Sequence, residues 1–309
     1  MKDKYQKTVY ACFVGYIVQA IVNNFVPLLF LTFEKSYHIP LSQITMLITF
    51  NFGIQLLIDL LSAKFVDRIG YRISIVLAHV FSAAGLICLV ILPDLLPNAF
   101  AGLFISVVIY AVGGGLIEVL ISPIVESCPS DNKEKAMSLL HSFYCWGHVA
   151  VVLLSTIFFR IFGIENWKIL ARIWAVIPVL NGIVFLFSPI YSLHEEGEKG
   201  LTICELFGKK IFWVVMLMMT CAVCGFSVGI MWPGTISISS KKFPAGGTAM
   251  FALLAMAGDL GGSIGPGIVG RVTQNAGDNI RVGMGVGLIF PVVLLVMIFL
   301  LKKVKVEEK

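Results

Sequence analysis

Six apolar stretches of twenty or more residues, set one after another and separated by short polar connections, constrain this chain more than any other feature. They run from Thr8 to Phe33, Leu41 to Ser62, Ile73 to Leu92, Phe100 to Ile121, Ala136 to Phe162 and Ile169 to Pro189. Each is long enough to cross the ~30 Å hydrocarbon layer as a helix. A helix also satisfies its backbone hydrogen bonds internally, as lipid demands, whereas a membrane barrel would show strict alternation. With 58% hydrophobic and 13% charged residues and a mean hydropathy of +0.93, the chain exceeds what a water-soluble core absorbs. The expected class is an all-α polytopic membrane protein. Lys2, Lys4 and Lys7 precede the first stretch as in a signal peptide. The stretch is too long for one and has no convincing small-x-small cleavage site, so it is expected to remain as the first span.

The net charge of +5 is modest and sits in the connections, where it reports orientation rather than nucleic-acid binding. A cytoplasmic N-terminus places Lys2, Lys4, Lys7, Lys64, Arg68, Arg72, Lys133, Lys135, Lys199, Lys209 and Lys210 inside. Only Lys35, Arg160 and Lys168 then fall outside. The seven cysteines show neither a disulfide framework nor a zinc spacing. Cys221-x-x-Cys224 lies in an apolar run without a redox-fold context, and the glycine runs inside spans serve close packing or bending.

SLHEEGEKG, the most hydrophilic stretch, divides the chain into a six-helix bundle at 1–190, a cytoplasmic linker at 191–210 and a second part at 211–309. That second part holds three apolar segments: Ile211 to Ile238, Thr248 to Val272, and Val282 to Leu301. If each crossed once, Lys241, Lys242 and the basic tail would fall outside, against the positive-inside rule. Gly225, Gly229, Pro233 and Gly234 offer a way out by breaking the first segment into a re-entrant pair. A single tilted helix is the alternative.

The segment AKFVDRIGYR between the second and third spans resembles the signature G-x-L-x-D-R-x-G-R-(K/R) of the major facilitator superfamily. Asp67, Arg68, Gly70 and Arg72 match; Ala63 and Tyr71 depart from it. More narrowly, YIVQAIVNNF, GGGLIEVL, GIMWPGT and TAMFALLAMAGDLGGSIGP resemble the fucose permease-like branch of sugar:proton symporters. The resemblance implies two six-helix bundles and a second half that has lost segments between the seventh and tenth helices, leaving three or four. AMSLLHSFYCWGH at Ala136 and AMFALLAMAGDLGG at Ala249 form a faint internal repeat. They start too close together for six intervening spans, which need roughly 150 residues at about 20 per span. The resemblance further implies that Asp67, with Arg68, Gly70 and Arg72, forms a gating loop meeting the helix that Thr248 caps. A solvated orientation signal is the alternative.

An ionisable group inside a span is costly unless paired or wetted, so it is a functional candidate. Glu118 and Asp259 qualify. Low dielectric favours the protonated form of a carboxylic acid, which suits reversible proton loading. Permanent pairing of Glu118 with His141 or Tyr144, expected at its level, is the competing account. Gln19 and Asn23 are four residues apart, Asn51, Gln55 and Asp59 repeat every four, and His141, Tyr144 and His148 share a face. Converging amides and hydroxyls suit sugar hydroxyls, with Tyr16 or Trp146 available to cover a ring. Gln19, Asn23, Asn51, Gln55, His141 and Tyr144 are therefore the substrate candidates, with polar interhelical packing as the alternative.

No catalytic residue, metal site or cofactor is expected, and no enzyme motif is found. The expected function is proton-coupled uptake of a sugar-like solute by alternating access, in a monomer of the cytoplasmic membrane. A transport-inactive remnant, or a membrane binding or sensing protein, is the alternative.

Overall fold

The computed structural model describes residues 2–129, 133–191, 203–222 and 288–303, together with positions 239, 250, 253, 254, 257, 272, 282, 285 and 286. Two compact units result, Met1–Leu193 and His194–Lys309. Among the described residues all regular structure is helical.

The first unit begins with α1 (Lys2–Asn24), a 3-10 turn (Val26–Leu29) and α2 (Phe30–Tyr37). The first span, expected from Thr8 to Phe33, is thus present within Tyr5–Tyr37, but its helix is interrupted. Pro27 lacks the N–H that would continue the ladder, and the chain tightens there, Leu28 N donating to Phe25 O at 3.2 Å. Hydropathy cannot register the break, because Phe25, Val26 and Leu29 are all apolar and buried.

Next come α3 (Leu41–Ile69) and α4 (Tyr71–Leu95). The segment expected as a loop between them is mostly helix: α3 continues through Ala63–Ile69 and only Gly70 stands between the two. Its φ of +89° and ψ of 150° lie where a side chain is strained, which explains a glycine at this corner. Polar residues at 64, 67 and 68 end the apolar run without ending the helix.

Three helices complete the unit: α5 (Ala99–Ser127), α6 (Lys133–Phe162) and α7 (Trp167–Phe187). The Asn98 carbonyl oxygen caps α5, accepting from Ala101 N at 3.3 Å. α5 runs on past Pro123 to Ser127, six residues beyond the expected end at Ile121. Five segments are long and apolar enough to cross a membrane, Tyr5–Tyr37, Tyr71–Leu95, Ala99–Ser127, Leu139–Phe162 and Ile164–Phe187, and α3 carries a shorter apolar stretch at Met46–Ser62. The chain is a multi-pass membrane protein.

α2 continues the span that α1 begins, Tyr5–Tyr37, and each later span turns back on the one before it, so α3 and α5 run parallel to each other and antiparallel to α1. α5 packs against α1, α3 and α4, while α1 also packs against α6 and α7. One end is closed by an apolar cluster including Phe33, Tyr110, Trp167 and Trp174. Its rim is tied by Asp94, which accepts from Tyr37 Oη at 2.8 Å and pairs with Lys168.

In the second unit, α8 (Ile203–Gly208) lies within the stretch expected as linker, followed by α9 (Lys210–Ala222) and α10 (Ile289–Lys303), which pack together. Met250, Leu253, Leu254 and Ala257 are helical and buried, the spacing of one helix face. The questions raised by Asp259, Lys241, the helix start at Thr248 and the course of Ile211–Ile238 beyond Ala222 lie outside the described residues.

Candidate functional site

The polar residues expected on α1, α3 and α5 come together inside the first unit. Gln19 and Asn23 sit one turn apart on α1. Asn23 Oδ1 accepts from both Asn51 Nδ2, at 3.0 Å, and Gln55 Nε2, at 2.8 Å. Gln19 Nε2 donates to Glu118 Oε2 on α5 at 2.5 Å. Glu118 lies nine residues before the end of α5, about 14 Å into the bundle at the helical rise.

Small residues allow this convergence. A Cβ on Gly114 would come within 3.4 Å of the Gln55 amide carbon, and one on Gly115 within 3.1 Å of Gln55 Cα and of Ile58 Cβ. Gly114 precedes Glu118 by one turn, so the bare stripe that admits Gln55 also aims Glu118 at α1.

Gln19, Asn51 and Gln55 use their amide nitrogens and not their amide oxygens. Gln19 Oε1, Asn51 Oδ1 and Gln55 Oε1 are buried and have no hydrogen-bond partner among the described residues. Buried polar atoms are nearly always paired, and each exception calls for an explanation. The cluster is therefore rich in unsatisfied acceptors, matched to a ligand that donates.

Aromatic groups of α1 and α6 lie beside it. Tyr16 bonds Ser122 at 3.0 Å, and its ring centroid lies 5.2 Å from His141 and 5.5 Å from Tyr144. Tyr144 meets His148 edge-on at 4.2 Å, and Asn24 Nδ2 reaches His148 Nδ1 at 2.9 Å. Of the two rings expected to cover a sugar, Tyr16 is buried, its hydroxyl already bonded within the bundle. Trp146 is 70% exposed on α6 in this unit.

The α3–α4 corner is separate from this cluster. Arg72 Nη1 donates to the carbonyls of Phe185, at 3.2 Å, and Leu186, at 2.6 Å, capping the C-terminus of α7. Beside it Thr8 Oγ1 donates to Pro189 O at 2.6 Å and Ser127 Oγ to Tyr191 O at 3.1 Å. Arg68 is exposed and Gly70 forms the corner; the Asp67 side chain lies outside the described residues.

Two buried polar features escaped the sequence reasoning. Asn181 on α7 donates to Ala11 O at 3.0 Å and bonds His79 Nε2 at 2.8 Å, while His79 Nδ1 bonds Ile75 O at 2.7 Å. This chain ties α1, α4 and α7 and fixes the His79 tautomer with Nδ1 protonated. Its signal was present: His79 is ionisable and lies inside a span. Asp59, seen only as one of a stripe, is a fully buried acid on α3. Among the described residues no group of three or more His, Cys, Asp or Glu side chains is placed to hold a metal ion.

The family model for the Major Facilitator Superfamily matches residues 11–222. No curated protein matches by sequence. Among solved structures, the E. coli fucose:proton symporter FucP superposes with a TM-score of 0.67 at 11% identity, over 96% of this chain and 99% of that one. The proton:xylose symporter XylE of E. coli, bound to 6-bromo-6-deoxy-D-glucose, gives 0.78 at 11% over 98% and 96%. The human organic anion transporter TETRAN gives 0.61 at 13% over 96% and 99%. At such identities the likeness is one of fold.

Proposed function

From the premise that this chain belongs to the major facilitator superfamily, a family of secondary transporters rather than enzymes, we propose that it couples uptake of a sugar-like solute to proton entry. In this proposal it works as a monomer in the cytoplasmic membrane with its N-terminus inside. Residues 1–190 form the six-helix bundle, 191–210 the linker and 211–309 a shortened second part.

The observation that carries the proposal is the Gln19–Glu118 contact beside a cluster of acceptor-rich amides. An ionised Glu118 accepts from Gln19 Nε2. A protonated Glu118 becomes a donor, and the open acceptor Oε1 is on the same amide. Rotation of that amide therefore distinguishes the two states. Gln19 lies one turn from Asn23, on which Asn51 and Gln55 converge, so reorientation at Gln19 reaches the amides that offer Oδ1 and Oε1 to solute hydroxyls. Protonation thereby biases solute binding, and alternating access turns the bias into transport. Asp259 is proposed as a second proton group.

Uptake of labelled sugars into vesicles under an imposed pH gradient tests this. Glu118→Gln should abolish proton-driven accumulation while retaining solute exchange, because the glutamine still bonds Gln19 but cannot cycle a proton. Undiminished accumulation in that variant would refute the coupling role. The remnant reading draws support from the faint internal repeat, whose copies at Ala136 and Ala249 start too close together for six intervening spans at about 20 residues each plus loops. Absence of uptake of any sugar by the unaltered, inserted chain would favour it.

A further inference from the structure

Gly147 lets α6 lie against α1: a Cβ there would stand 3.1 Å from Ala20 Cβ and 3.4 Å from Ile17 Cα. The next residue, His148, is thereby brought to Asn24, whose Nδ2 lies 2.9 Å from His148 Nδ1 and 2.7 Å from Ala20 O. A backbone carbonyl only accepts, so the Asn24 atom facing it is the nitrogen, whose two protons go to Ala20 O and to His148 Nδ1. Nδ1 must then offer its lone pair, which makes His148 a neutral imidazole with its proton on Nε2. Yet Nε2 is buried and has no hydrogen-bond partner among the described residues. The Tyr144 ring, edge-on to the imidazole with centroids 4.2 Å apart, is only a weak acceptor for an N–H.

Asn23 and Asn24 are consecutive on α1, so they differ in height by about 1.5 Å and in direction by about 100°. Asn23 gathers Asn51 and Gln55, whose free oxygens only accept. Asn24 holds His148, whose free nitrogen only donates. One level of α1 thus carries opposite hydrogen-bonding polarity on its two sides. Asn23, Asn24, Tyr144 and His148 are each half-buried in this unit, so this level is not sealed within the core.

We propose that His148 Nε2–H is a donor to the solute and that Asn24 is the residue positioning it. The solute taken is then a neutral sugar or polyol that gives hydroxyl protons to Asn51 and Gln55 and turns a ring or hydroxyl oxygen to His148. An ammonium or other donor-only group at that end would face the N–H and is excluded. The inference rests on the carrier reading for the ligand, and on the Asn24 geometry alone for the tautomer.

The imidazole nitrogens report both parts, in the full chain labelled with nitrogen-15 histidine and reconstituted in lipid. The His148 signals are assigned by their loss in His148→Gln or, should that variant fail to insert, by correlation with the Tyr144 ring. Without solute, Nδ1 should be the unprotonated nitrogen and Nε2 the protonated one, and Asn24→Leu should mix the two tautomers. L-Fucose, D-xylose and D-glucose are then added in turn, and the sugar that binds should shift the Nε2 signal. Its affinity should fall about tenfold in His148→Phe, the equivalent of one hydrogen bond. His148→Gln, whose amide N–H stands in for Nε2, should restore it. A protonated Nδ1, a sugar that binds with Nε2 unmoved, or equal losses in His148→Phe and His148→Gln overturns the contact. Uptake of a sugar with Nε2 unmoved removes His148 from the site and leaves the carrier reading. Binding that shifts Nε2 without uptake keeps the contact and removes the carrier reading, and a chain that neither binds nor takes up any of the three sugars refutes both.

Discussion

Replacing Gly85 by alanine should destabilise the first unit, whereas the same change at Gly53 should stabilise it. A Cβ on Gly85 would lie 2.5 Å from Tyr110 N and Cβ and 2.8 Å from Tyr110 Cα. Carbon contacts sit at about 3.5–4.0 Å, so α4 and α5 must separate by roughly 1 Å, and the backbone in the way cannot rotate aside. Gly102, whose Cβ would lie 2.5 Å from the Leu92 carbonyl carbon, and Gly113, 2.6 Å from Ala78 O, lose contact along the same seam. A gap of 0.5–1 Å forfeits about a quarter to a half of each dispersion contact, and packing of this kind is a main source of helix association in lipid. Overpacking costs about 1–3 kcal/mol, and alanine returns about 0.5–1 kcal/mol of helix propensity. The net is a loss of about 1–2 kcal/mol. Gly53 is exposed on α3 and meets nothing within 4 Å, so only the gain remains. Unfolding in mixed micelles with rising dodecyl sulfate, followed by tryptophan fluorescence, reads both. Shifts of the same sign, or a Gly85→Ala variant as stable as the parent, would refute the reasoning.

Asn181→Leu removes the donor shared by Ala11 O and His79 Nε2 and should cost about 1–3 kcal/mol through the orphaned buried groups, in the same unfolding assay. Arg72→Met uncaps α7 and should cost about 0.5–1 kcal/mol; Arg72→Lys should recover part of this, since its charge stays beside the last carbonyls without the guanidinium fork. Cys204 is exposed on α8. As the sole cysteine of a variant it should react with a membrane-impermeant maleimide from the cytoplasmic side, and labelling from outside would reverse the proposed orientation.

The spans were legible because bilayer thickness imposes a length that composition reveals directly. Their ends were not. α3 outruns its apolar stretch by seven residues, to Ile69, because charged residues such as Lys64 and Arg68 leave the hydrocarbon while still favouring helix. Conversely, the turn at Val26–Leu29 sits inside an unbroken apolar run, where only the missing N–H of Pro27 marks it. Helix continuity follows backbone bonding, which hydropathy tracks only where membrane and helix end together.

Face and height separate in the same way at the candidate site. Spacing by four placed Gln19 with Asn23, and Asn51 with Gln55 and Asp59, on common faces; it could not say which turn of α3 or α5 each would meet. That register comes from Gly114 and Gly115, whose missing side chains let Gln55 and Ile58 approach α5 one turn before Glu118. The glycine run in GGGLIEV, legible only as permitting packing or bending, thus governs the height at which the α3 amides meet α5. Gly115→Ala sets this to the test. Its Cβ would stand 3.1 Å from Gln55 Cα and Ile58 Cβ, a few tenths of an ångström too close, which a small sliding of α3 relieves. Stability should change by under about 1 kcal/mol, since the clash is slight and alanine favours helix. Proton-driven uptake should fall, although no polar residue has been altered. Full retention of uptake would mean that the glycines serve packing alone.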